Sequence, residues 1–219
     1  KKMIQILRIG LPAGFQGVVF ALSNVVIQSS VNIFGNIVVA GNSAAANLEG
    51  FVYMAMNAFY QTTLSFVSQN YGAGKQKRIH RIVLLGEACV IVTGTLLGNA
   101  VVFFGNELLH IYSSNPEVIA AGIVRLHYIS MVYALCGIMD VMVGALRGIG
   151  YSIMPMIVSI VGVCVLRLVW LATVFQIPAY HRIETVYLSY PVTWILTSLV
   201  YIVFFIWVRV RTCRKSAAA

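Results

Sequence analysis

The residue with most chemistry to offer in this sequence is Asp140, a carboxylate set inside a long apolar run. An acid within a membrane helix costs about 3 kcal/mol on insertion scales, so it must be paired, protonated or turned toward water. By helical rise it lies roughly 10 Å from the centre of its run, toward the side on which Arg147 follows. Arg147 shares its helical face but sits some ~10 Å further along, too far for direct pairing without a bend. Asp140 is thus either a structural ion-pair or helix-packing group, or a site that loads and releases a proton or another cation.

Polar residues at intervals of three and four mark helix faces turned toward protein or water. The first apolar run carries Gly17, Ala21, Asn24, Gln28 and Asn32 on one stripe, with Pro12 expected to kink its start. The second carries Asn47, Gly50, Met54, Asn57, Gln61, Ser65, Ser68 and Gly72. The fourth carries His127, Ser130, Ala134, Gly137, Asp140, Gly144 and Arg147. Such stripes serve as close packing surfaces, where small residues and amides join helices, or they line a water-filled cavity; both readings can hold at different depths of one helix. Tyr53, Tyr60, Tyr133 and Met139 suit a pocket for a flat cation through aromatic and thioether contacts. Asp140 is therefore the candidate for cation coupling. Asn24, Gln28, Asn57, Gln61, Tyr133 and Met139 are candidates for a substrate path, and Arg147 and Arg167 for structural charges. Arg167, mid-run, is expected to bond backbone carbonyls or a neighbouring acid. His127 is a core histidine or a proton relay, and Glu87 is an expected interfacial partner for the basic loop near Arg81.

The elements that must position these groups are six apolar runs, at about 9–34, 44–70, 82–104, 120–146, 153–177 and 186–208, each near the ~20 residues that cross a bilayer. The fold class is all-α and integral to the membrane, a single six-helix bundle over residues 1–219. Twelve of the 15 basic residues fall before the first run, after the last, or in the loops following the second and fourth. The opposite loops hold Arg182, with Glu49, Glu107, Glu117 and Glu184 at or near that side. The positive-inside rule then puts both termini in the cytoplasm.

A hydrophobic fraction of 60% with only 10% charged residues excludes a disordered or ordinary soluble chain. The net charge of +9 belongs to membrane edges and anionic headgroups, not to a nucleic-acid partner. Cys89, Cys136, Cys164 and Cys213 have no metal spacing and read as free thiols. No metal pair, phosphate loop or nucleophile constellation is present, so the chain is not expected to be an enzyme or to hold a cofactor. The opening Lys1-Lys2-Met3, running at once into a helix, reads as the start of a piece cut from a longer protein, and Ser216-Ala217-Ala218-Ala219 as an end without chemistry.

Ser68-Gln69-Asn70-Tyr71-Gly72-Ala73-Gly74-Lys75, then Arg78 and Arg81, resembles the cytoplasmic loop signature of the multidrug and toxic compound extrusion (MATE) family. Gly144-Ala145-Leu146-Arg147-Gly148-Ile149-Gly150-Tyr151, then Met154-Pro155, resembles the loop after that family's tenth helix. Arg167 falls where a helix arginine is usual, and Leu11-Pro12-Ala13-Gly14 resembles the start of the seventh helix. The matches occur in order across nearly the whole chain.

The resemblance implies the carboxyl-terminal lobe of a twelve-helix, two-lobe transporter, with the amino-terminal lobe as its missing partner. It also implies small-molecule cargo, organic cations or other amphipathic compounds, exported by alternating access in exchange for protons or sodium ions. One family branch places carboxylates on helices seven and ten. The first run here has no Asp or Glu, and Asp140, on the matching tenth helix, lies about one turn nearer the loop arginine than that branch's acid. In another branch the essential acid lies on the first helix, outside this chain. The expected location is the bacterial cytoplasmic (inner) membrane. A lipid-linked saccharide flippase of similar architecture, or a non-transporting membrane scaffold, are the alternatives.

Overall fold

The computed structural model describes residues 2–217. Lys1, Ala218 and Ala219 lie outside the described residues, as do the side chains of residues 2, 4–6, 8, 9, 209 and 211–217, Cys213 among them. Among the described residues every regular element is helical.

Two long helices open the chain, α1 (Lys2–Asn32) and α2 (Asn36–Gly72), followed by α3 (Gln76–Phe103) and the short α4 (Gly105–His110). The run expected at 120–146 is broken: α5 (Pro116–Ile129) passes through a 3-10 turn, Ser130–Val132, into α6 (Ala134–Gly148), bent by 46°. No proline or glycine stands at this break. It lies against α3, where a Cβ on Gly98 would collide with the Ser130 carbonyl oxygen. The next run is α7 (Ile153–Ser159), a π-helical turn (Ile160–Val165) and α8 (Leu166–Ala172); after two 3-10 turns, α9 (Ile183–Ala217) closes the bundle.

Among the described residues, four segments are long and apolar enough to cross a membrane: Gly10–Asn32, Gln76–Phe103, Ile153–Gln176 and Ile183–Val208. The bent pair α5–α6 makes a fifth if taken as one span. The expected six thus become four or five by this measure. The helix left out is α2, whose 37 residues give it ample length but whose polar groups recur from Asn36 to Asn70.

The core lies between α2, α3, α6 and α9, where Met56, Val67, Ile79, Val90, Val141, Leu146 and Tyr201 are at most 1% exposed. Glycines on α6 let the helices approach: a Cβ on Gly137 would meet Val90 Cγ2 at 2.6 Å, and one on Gly148 would meet Val67 at 2.8 Å. This part of the fourth-run stripe is a packing surface, as small residues in membrane bundles often are. The second-run stripe behaves oppositely. Asn47, Met54, Gln61, Ser65 and Ser68 are exposed, while Leu48, Val52, Met56, Thr63 and Val67 fill the buried face of the same helix.

Both glycine-containing loop motifs are helix stops. Gly74 adopts φ 70° just after α2, where Lys75 N–H donates to the Asn70 carbonyl at 2.9 Å. Gly150 adopts φ 93° after α6, where Tyr151 N–H donates to the Leu146 carbonyl at 3.0 Å. Each is a left-handed termination that a side chain would strain.

Candidate functional site: a charged cavity within the bundle

A cavity of ≈450 Å³ opens between α1, α2, α6, α8 and α9. Gln16 and Asn24 reach it from α1, Tyr53 from α2, Met139, Asp140 and Arg147 from α6, and Arg167 from α8. Tyr133, Tyr190 and Trp194 form its aromatic wall. A second cavity of ≈320 Å³ shares Asn24, Tyr133, Tyr190 and Trp194 with the first and adds Gln28, Glu49 and Arg125. The aromatic wall is built edge to face: Trp194 meets Tyr133 with ring centroids 5.4 Å apart and Tyr190 at 5.8 Å.

Asp140 and Arg147 line the same cavity without a direct ion pair. Arg147 Nη1 donates to the Tyr60 hydroxyl and Nη2 to Gln16 Oε1, both at 2.8 Å, which ties α6 to α2 and α1. Asp140 Oδ2 is buried with no hydrogen-bond partner. Arg167 is 3% exposed, and it is not held by an acid or by backbone carbonyls as expected. Its Nη2 donates to Thr193 Oγ1 at 3.1 Å and its guanidinium lies 3.9 Å from the Tyr190 ring centroid. A cation over an aromatic face recovers part of its lost hydration without a counter-charge. The Nε atoms of Arg147 and Arg167 are both buried without partners.

Above the second cavity runs a polar chain that the sequence reading missed. Arg125 Nε and Nη2 donate to Glu49 Oε1 and Oε2 at 2.9 and 2.7 Å, a bidentate pair. Arg125 Nη1 donates to Asn42 Oδ1 at 2.7 Å, Asn42 Nδ2 to Gln28 Oε1 at 3.0 Å, and Gln28 Nε2 to Asn32 Oδ1 at 3.0 Å. The Tyr187 hydroxyl also donates to Asn42 Oδ1. Glu49 had been placed at the outer loop side; it is instead 5% exposed inside the bundle. The signal available in the sequence was that Arg125 required a counter-charge, and that Asn42 and Glu49, seven residues apart, share a face of α2.

Of the residues proposed for the substrate path, Asn24, Gln28, Tyr133 and Met139 therefore face the cavities. Asn57 and Gln61 do not join them. They lie on the open face of α2, where Asn57 Nδ2 donates to the Tyr53 hydroxyl at 3.5 Å. Tyr60 is occupied by Arg147. His127 is exposed, its Nδ1 3.0 Å from the Ile123 carbonyl oxygen of its own helix. Glu87 does not partner the basic loop: both carboxylate oxygens are buried with no hydrogen-bond partner. Among the described residues no cluster of His, Cys, Asp or Glu could hold a metal ion.

A helical bundle with membrane-length apolar segments and a charged internal cavity defines an integral membrane protein built around a polar site. The MatE family model matches residues 12–173, and the chain belongs to that family. It is 30% identical over 162 residues to the probable multidrug resistance protein YpnP of Bacillus subtilis, covering 74% of this chain and 36% of that protein. It is 29% identical over 111 residues to an FAD transporter of Shewanella oneidensis, covering 51% of this chain and 25% of that one. The fold is similar to the Vibrio cholerae MATE transporter VcmN in its bent form, with TM-score 0.80 and 18% identity over 96% of this chain and 46% of that one. The chain thus spans about a third of the length of the curated multidrug relatives it matches.

Proposed function

We propose that this chain is one six-helix lobe of a two-lobe secondary efflux transporter for amphipathic small molecules, working by alternating access in exchange for protons or sodium ions. The observation that carries the reading is Asp140, whose unpartnered carboxylate oxygen lines a cavity between α1, α6 and α9. Binding of a proton or sodium ion there cancels the one acidic charge on the larger cavity's wall, and cargo and coupling ion then compete for, or share, one electrostatic site. The open polar face of α2, with Asn57 and Gln61, faces an amino-terminal lobe that completes the pathway, and rocking of one lobe against the other moves the site between membrane faces. Both termini lie in the cytoplasm, and the protein sits in a bacterial cytoplasmic membrane. The range of cargo carried by relatives, from multidrug to FAD, supports keeping the substrate class broad.

The test is efflux of a fluorescent organic cation from energised cells expressing the full-length parent, wild type against Asp140→Asn at matched abundance. Loss of efflux with retained dye binding is expected. Unchanged efflux would move coupling to the other lobe. A lipid-linked saccharide is the second reading, favoured by Arg147 and Arg167 on the cavity wall; it predicts no dye efflux even in the wild type.

A further inference from the structure

The charges of the two cavities do not cancel. Glu49 and Arg125 neutralise each other through the bidentate pair and leave the smaller cavity without net charge. The larger cavity holds two guanidiniums, Arg147 and Arg167, against one carboxylate, Asp140. Neither arginine is paired with an acid: the hydrogen-bond acceptors they meet are neutral, namely the Tyr60 hydroxyl, Gln16 Oε1 and Thr193 Oγ1. Each also keeps a buried Nε without a partner, and Arg167 is 97% buried. A buried, unsatisfied, charged donor is costly unless something accepts from it. A phosphate or carboxylate is the group whose geometry suits guanidinium donors. Tyr133, Tyr190 and Trp194 also line this wall and offer rings on which a flat ring system can stack.

We infer that Arg147 and Arg167 form an anion subsite in the larger cavity, and that the cargo it selects is a small molecule joining a phosphate or carboxylate to an aromatic ring system. The inference rests on the transporter reading for its role in transport, but binding tests it separately. Asp140 opposes the anion electrostatically, so neutralising Asp140 strengthens anion binding by the same field that a coupling cation would cancel.

The experiment measures equilibrium binding of riboflavin and riboflavin 5′-phosphate to the full-length parent in lipid nanodiscs, by quenching of flavin fluorescence. The two probes share one ring system and differ by a phosphate. The phosphorylated probe is expected to bind about ten-fold more tightly, the scale of one hydrogen bond to a charged group. Arg167→Gln should erase most of that ratio, and Asp140→Asn should increase it. Equal binding of the two probes by the wild type overturns the inference, and needs no variant to fold. So does a ratio that survives both Arg167→Gln and Arg147→Gln. A parent that extrudes the cationic dye yet binds both flavins equally loses the anion subsite alone. One that prefers the phosphorylated probe yet moves neither dye nor flavin keeps the subsite and loses the transport reading.

Discussion

Arg125 on α5 holds Glu49 on α2 by two hydrogen bonds of 2.9 and 2.7 Å across 76 residues of sequence. The pair pins α5 to α2 on one side of the 46° break, while Arg147, bonded to Tyr60 and Gln16, pins α6 to α2 and α1 on the other. The bend between them is thus fastened to α2 at both ends by guanidiniums, Arg125 from α5 and Arg147 from α6.

Removing one member of the first clamp leaves a charge stranded. Arg125→Leu or Glu49→Leu alone should cost about 3–5 kcal/mol, whereas the double replacement should recover most of it. Thermal unfolding of the full-length parent in detergent, read as a double-mutant cycle, checks this; additive losses would contradict it.

Glu87 should behave in the opposite way. Its carboxylate oxygens are buried without partners, so Glu87→Gln removes a desolvated acid and breaks no hydrogen bond. Stability should hold or rise by about 1–2 kcal/mol. A loss comparable to that of Glu49→Leu would reveal a partner for Glu87 in the complete protein.

Gly98 is a contact and not a hinge. Because a Cβ there would collide with the Ser130 carbonyl oxygen, Gly98→Ala must push α3 away from the break, at a cost of about 1–3 kcal/mol. Gly50→Ala, which meets nothing within 4 Å, should leave unfolding of this bundle unchanged. Folded yield and thermal midpoint of the two variants separate the cases.

The exposed stripe of α2 predicts an accessibility pattern. In a parent stripped of native cysteines, Asn57→Cys and Gln61→Cys should react with a membrane-impermeant thiol reagent from at least one side, while a cysteine restored at the buried position of Cys164 should not. Protection of both α2 positions would favour a scaffold without a solvent path.

How far the sequence led depends on the range of each cause. Apolar runs and loop charges are local properties, and the sequence carries them directly. The break at Ser130–Val132 packs against Gly98, 32 residues away in sequence, and no proline or glycine within it gave a local sign. Glu49 was misplaced because apolarity alone starts its run near 44, whereas the helix starts at Asn36. That puts the acid roughly 20 Å into the helix by helical rise. For the cavity, Asp140, Asn24, Tyr133 and Met139 announced themselves by type and period. Gln16, Tyr190 and Trp194 did not, since nothing in a single strand of sequence says that α1 and α9 converge on α6.

The π-helical turn at Ile160–Val165 holds one residue more than an α-helical path would, and Arg167 follows one residue beyond it. It acts as a phase setting: each residue of an α-helix turns the chain by about 100°, so the extra residue decides whether Arg167 looks inward or at lipid. Related sequences that lack this one residue would keep the arginine in their alignment and lose it from the cavity.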